Sequence, residues 1–232
     1  MSDYPQSTIE LRRTPWERFL TAFGAFILLF PTVFILGAAV ISFGSSIGLG
    51  LFMAALGLFM IFLCWVCCRE VVARWTTRVR IEGDQVSLNL PASTGRPKVL
   101  TTLALSQIAA VDTREEVFKS LGMANLQRGF ALELRDGSRL VLGADRPMGE
   151  HFYGDLALAI ADRANVPIKE MGMYDGKAGL MQMAGSSAPE WTAKPLAPEQ
   201  VAKRRKSVQL TWTILSVVLV LVVIARVLSR ML

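Results

Sequence analysis

Three stretches of this chain, residues 19–43, 47–68 and 208–224, contain no Asp, Glu, Lys or Arg. Each is as long as the ~17 to 25 residues that an α-helix needs to cross a bilayer. In lipid such a run satisfies its backbone only as a helix, so the pattern predicts an integral membrane protein with three transmembrane helices. Composition agrees, at 52% hydrophobic and 19% charged, where a soluble domain carries about 25% charge. A disordered, collagen-like or disulfide-scaffold chain is excluded. The first run is too long for a secretory signal and continues into more apolar sequence at Gly37-Ala38-Ala39-Val40, which predicts a retained helix.

The formal charge of +6 does not point to nucleic acid, because of where the cations sit. Between residues 81 and 170 there are ten Lys or Arg against twelve Asp or Glu, a net of −2. The excess flanks the apolar runs instead. Arg12 and Arg13 precede the first, Arg69 and Arg74 follow the second, and Lys203, Arg204, Arg205 and Lys206 precede the third. Cations in short flanking segments mark the cytoplasmic side, so these residues are read as orientation charges, with contact to anionic membrane lipids as a secondary effect. The first two runs are joined only by Gly44-Ser45-Ser46 and form a hairpin with both outer ends in the cytoplasm. The C-terminus then emerges outside.

Cys64, Cys67 and Cys68 cluster at the end of the second run. Cys64 and Cys67 have the spacing of a metal or redox pair, but a zinc site needs about three or four soft ligands. No second pair exists and the single histidine, His151, lies far along the chain. They read as small apolar side chains of a membrane helix.

After Trp75 the periodicity switches to alternation. Residues 77–82 and 85–90 alternate around Gly83-Asp84, and 130–135 and 138–142 around Asp136-Gly137, two hairpin signatures. Residues 98–103 and 109–113 add candidate strands. A helix is expected from about 147 to 164, where Phe152, Leu156 and Ile160 recur at four-residue spacing before Pro167. Met171, Met173, Met181 and Met183 then fall among Gly, Ala, Ser and Pro without a period, which reads as a flexible linker. The expected organisation is a cytoplasmic arm (1–18), a transmembrane hairpin (19–68), a cytoplasmic sheet domain (75–168), a linker (169–206) and a third membrane helix (207–228).

A helical hairpin running into a small strand-rich domain closed by one helix resembles bacterial membrane proteins with a pleckstrin-homology-like (PH-like) domain. The resemblance covers roughly residues 20–167. It is carried by the hairpin 77–90, the Leu105-x-x-Ile108 turn, Ser120-Leu121-Gly122-Met123, the hairpin 130–142 and the closing helix. It implies a bent sheet or partial barrel capped by a C-terminal helix, and a scaffolding or regulatory role. It supplies no site residues, and a lipid-headgroup role, familiar from eukaryotic domains of this shape, is not supported by the net charge of −2.

No phosphate-binding glycine loop, nucleophile elbow or paired metal motif is present, so no catalytic, cofactor-binding or metal residue is assigned and the chain is not expected to be an enzyme. The first two runs carry no intramembrane charge that would mark a transport path. The expectation is a non-catalytic interaction protein of a bacterial inner membrane, an accessory, assembly or regulatory subunit of a larger membrane complex. Val117, Phe118, Leu121 and Met123 are its candidate partner-binding surface. The second reading is a homo-oligomeric transport or channel component, with Thr211, Thr213 and Ser216 as its polar helix face.

Overall fold

The structure, a computed structural model, describes residues 8–92, 96–120, 123–145, 151–176 and 188–231. The chain divides into two compact units. The first runs to Ser93 and takes in Pro97–Leu103; the second comprises residues 94–96 and Ala104–Leu232.

In the first unit, strand β1 (Ile9–Arg12) precedes helix α1 (Pro15–Phe43). Thr14 and Glu17 form a capping box, the Glu17 N–H donating to Thr14 Oγ1 at 3.2 Å and the Thr14 N–H to Glu17 Oε2 at 3.2 Å. With Pro15 in the first helical turn, these contacts fix where the helix begins. Ser46 caps helix α2 (Ile47–Thr76). The two helices meet where small residues allow it: Phe43 lies over Gly50, Leu36 over Gly57, and Thr32 Oγ1 is 3.2 Å from Cys64 Sγ. Both are long and apolar enough to cross a membrane, and Phe30, Phe34, Ile41 and Phe52 face outward.

Strands β2 (Arg78–Glu82), β3 (Gln85–Leu90) and β4 (Val99–Ala104) follow, and the sheet runs β1-β2-β3-β4. Alternation puts Val79, Ile81, Val86, Leu88 and Leu90 inside. The arm expected as polar chain supplies the edge strand, Ile9 pairing with Ile81 and Arg12 with Arg78. This ladder joins the segment before α1 to the segment after α2, so both outer ends of the helical hairpin lie together.

The second unit begins with a 3-10 turn, Leu105–Gln107, and strands β5 (Ile108–Ser120), β6 (Met123–Leu134) and β7 (Arg139–Asp145). Helix α3 (Phe152–Ala164), strand β8 (Ile168–Gly176) and helix α4 (Pro198–Met231) complete it. The sheet order is β7-β6-β5-β8, with β8 parallel to β5. α3 starts later than its pattern suggests, at Phe152, and its first N–H groups are capped from β7. Asp145 accepts from Tyr153 N at 3.0 Å and from Gly154 N at 2.7 Å.

Three readings change here. β5 continues to Ser120, far beyond the short strand expected at 109–113. Residues 168–176, at the head of the stretch read as linker, are strand β8 on the sheet edge. α4 starts before the third apolar run, and its first half docks on the sheet: Val201 and Val208 pack against Val117, Ala124 and Met173, and Thr211 Oγ1 accepts the Ala124 N–H at 3.1 Å.

Candidate interaction site

β5 is an inner strand of the second sheet and most of its side chains are buried on both faces, which is why its alternation is hard to see in the sequence. One face presents Thr113, Glu115 and Val117, opposite Phe130, Arg128 and Leu126 of β6. The other presents Asp112, Arg114, Glu116 and Phe118.

On the second face lies a buried ionic cluster. The Glu116 side chain has no exposed surface and accepts from Arg96 Nη2 at 2.7 Å, Arg114 Nε at 2.9 Å and Gln127 Nε2 at 3.1 Å. Gly129 makes room for it, since a Cβ there would stand 2.6 Å from Glu116 Oε1. Arg114, itself fully buried, continues outward to residues 188–191. Its Nη1 donates to the Glu190 carbonyl at 3.0 Å and its Nη2 to the Pro189 carbonyl. Its guanidinium lies 3.8 Å from the centre of the Trp191 ring and 5.0 Å from that of Tyr174. Burial works against the charged form of Arg114, and the Glu116 carboxylate opposes that effect.

From this clamp the chain crosses the β8 edge. A Cβ on Gly172 would stand 3.4 Å from Pro195, the φ of +91° there suits glycine, and the Leu196 N–H donates to the Met173 carbonyl at 2.8 Å. Leu196 then joins the cluster under α4 on the first face. Residues 188–197 are therefore a strap around the sheet edge.

On the first face, α3 packs over Phe130 through Gly154 and α4 over Val117. The groove between the helices holds two adjoining cavities of about 340 and 370 Å³ that share Glu115 and Arg128 as floor. Its walls combine apolar Leu126, Leu158 and Val201 with His151, Asp155 and Arg205. Arg128 Nε donates to Thr113 Oγ1 at 3.1 Å, and its Nη2 reaches Glu170 at 2.6 Å.

Of the candidate surface residues, Val117 and Phe118 are core, 1% and 5% exposed. Val117 lies under α4 and Phe118 is buried on the opposite face, which corrects their assignment as a docking surface. Met123 opens β6, and Leu121 lies outside the described residues. The orientation charges also take on structural roles. Arg12 and Arg78 share Glu10, Arg13 is buried, Arg69 lies over the Trp65 ring at 5.5 Å, and Arg74 sits in the last turn of α2. Arg204 holds Asp175 through Nε at 2.8 Å and Nη2 at 2.5 Å, which raises its pKa. Arg205 reaches Glu115 at 3.2 Å, whereas Lys203 and Lys206 are exposed. Half of that basic cluster therefore fastens α4 to the sheet. The strap and the clamp had no signal in the sequence, because Arg114 and Trp191 are far apart along the chain and carry no motif. Among the described residues, no three His, Cys, Asp or Glu side chains converge as a metal site would require.

Compared with protein-family models and with curated proteins, the chain matches none.

Proposed function

We propose that this chain is a non-catalytic, membrane-anchored interaction protein of a bacterial inner membrane, an accessory, assembly or regulatory subunit that binds its partner through a cytoplasmic PH-like domain and its helices. The observation that carries the reading is the α3–α4 groove. It is an uncovered trough of mixed apolar and charged side chains on a sheet whose own core is filled, which suits a protein segment better than a small substrate. It replaces Val117 and Phe118 as the partner surface.

Anchoring is supported by the outward apolar faces of α1 and α2 and by exposed Trp16 and Trp75 at the ends of the helices that adjoin the sheet, the usual depth of interfacial aromatics. α4 serves as a third span. Beyond Thr211 its side chains Ile214, Val217, Val218 and Leu221 are exposed, and the helix continues to Met231. At ~1.5 Å per residue, that is enough to cross ~30 Å of hydrocarbon.

Orientation is checked by cysteine labelling in intact cells, in a background where the native cysteines are replaced. Ser45→Cys, in the hairpin loop, is expected to react with an impermeant thiol reagent, and Ser138→Cys, in the β6–β7 turn, to react only after lysis. Labelling of Ser138→Cys in intact cells would reverse the orientation.

The function is tested by purification from native membranes in mild detergent with mass spectrometry of co-eluting proteins, using wild type and a Leu158→Asp/Val201→Asp variant. A stoichiometric partner lost from the variant is the expected result. A lone homo-oligomer unaffected by the variant would favour the transport reading instead.

A further inference from the structure

The strands beneath the α3–α4 groove set its width. α3 stands over Phe130, which pairs with Thr113, and α4 stands over Val117. Thr113 and Val117 are four residues apart on β5, about 13 Å at ~3.3 Å per residue. Two packed helices already need about 8–10 Å between their axes. No third helix fits between these two, and the space admits an extended chain instead. Such a chain turns alternate side chains to the floor.

Charge narrows the occupant. Four carboxylates line the groove, Glu115, Asp145, Asp155 and Glu170, against the three guanidinium groups of Arg114, Arg128 and Arg205. Arg114 is engaged by Glu116, Arg128 by Glu170 and Arg205 by Glu115, and Asp145 caps α3. Asp155 is left over. It is exposed, and among the described residues its carboxylate has no hydrogen bond or ion pair. Leu158, three residues further along α3 and 59% exposed, lies on the same side of the helix. The α3 wall thus sets a free carboxylate beside an uncovered apolar side chain, and its complement is a cation beside an apolar residue.

Position narrows it again. Val201 and Arg205 of α4 line the groove, and the uncharged run of the same helix begins at Val208. At ~1.5 Å per residue, the groove opens about 5–10 Å from the hydrocarbon, beside the headgroup layer. A chain lying there adjoins the membrane. Lys and Arg accumulate in the cytoplasmic segments next to transmembrane helices, directly after the apolar residues that end the span. We propose, on the reading of this groove as the partner site and of α4 as a span, that its occupant is the extended, Lys- or Arg-bearing cytoplasmic flank of a transmembrane helix in another membrane protein. One apolar side chain of that flank packs between Leu126 and Leu158, and a neighbouring cation pairs with Asp155.

The experiment places photoreactive p-benzoylphenylalanine at Leu158 of the full chain in native membranes, irradiates, and sequences the linked peptides by mass spectrometry. The expected product is a peptide of another integral membrane protein, net positive and within about ten residues of an apolar run. Asp155→Lys should cut its yield roughly tenfold, since attraction between two charges becomes repulsion. Changing the partner's cation to Glu should then restore the yield in the Asp155→Lys background, which a folding defect would not allow. A linked peptide that is acidic, belongs to a soluble protein or lies far from any span overturns the proposal. An undiminished yield in Asp155→Lys overturns it too. A link to residues 203–206 of a second copy also overturns it, in favour of a homo-oligomer. Failure of the groove reading is seen separately, as the absence of any linked protein when the photoreactive group stands at Leu158 or at Val201.

Discussion

Exchanging Glu116 for alanine is expected to cost the second unit about 3–5 kcal/mol, the range for removing one partner of a buried ion pair. The carboxylate has no exposed surface, and the two guanidinium groups it serves are 0% and 7% exposed. Without it, Arg114 and Arg96 are two like charges in a medium of low dielectric, each missing a hydrogen-bond acceptor that water cannot replace. Gln127 loses its acceptor as well. Glu116→Gln keeps the shape and one acceptor oxygen but not the charge, so a smaller loss is expected. For a unit of this size the alanine variant should melt roughly 10–20 °C below wild type, followed by tryptophan fluorescence in detergent. An unchanged melting temperature would mean that the two arginines reach solvent, which is incompatible with a buried cluster.

How much of this was legible from the residues depends on how local the determining physics is. The two long helices were plain, because an unbroken apolar run and a capping residue are local features. The hairpins at 77–90 and 130–142 were plain too, since alternation brackets a Gly-Asp or Asp-Gly turn, and Gly83 and Gly137 adopt φ of +57° and +82°. β1 was missed because four residues of alternating charge, Ile9-Glu10-Leu11-Arg12, look like solvated chain until β2 offers its edge. The full extent of β5 was missed because its inward positions are occupied by Asp112, Arg114 and Glu116. A strand that buries charges against distant arginines reads as an exposed loop, and that misplaced the partner surface onto Val117 and Phe118. Arg204 and Arg205 were read for topology, and the sequence holds no sign that they also grip Asp175 and Glu115. The groove could not have been foreseen, because its two walls come from helices separated by β8 and the strap.

The strap gives the second large effect. Trp191→Ala is expected to free residues 188–197 from the sheet while leaving the sheet itself folded. Arg114 is tied to this segment by two carbonyls and by the indole face, and a desolvated cation–π contact is worth about 2 kcal/mol. Losing it should raise the population of the detached strap about 30-fold. The readout is the exchange of the Leu196 amide hydrogen, which bonds the Met173 carbonyl in the docked state and should lose protection by that factor, while amides of β5 and β6 keep theirs. Trp191→Phe separates the causes. The indole Nε1 is buried with no hydrogen-bond partner among the described residues, so a ring that stacks without a donor should retain most of the protection. If Trp191→Phe opened the strap as fully as Trp191→Ala, stacking on Arg114 would not be what holds it. Because the strap leads directly into α4, whose docked half forms one wall of the groove, the alanine variant should also loosen α4 around Val201. Binding of the partner proposed for the groove would then weaken, although Trp191 is not among the residues that line it.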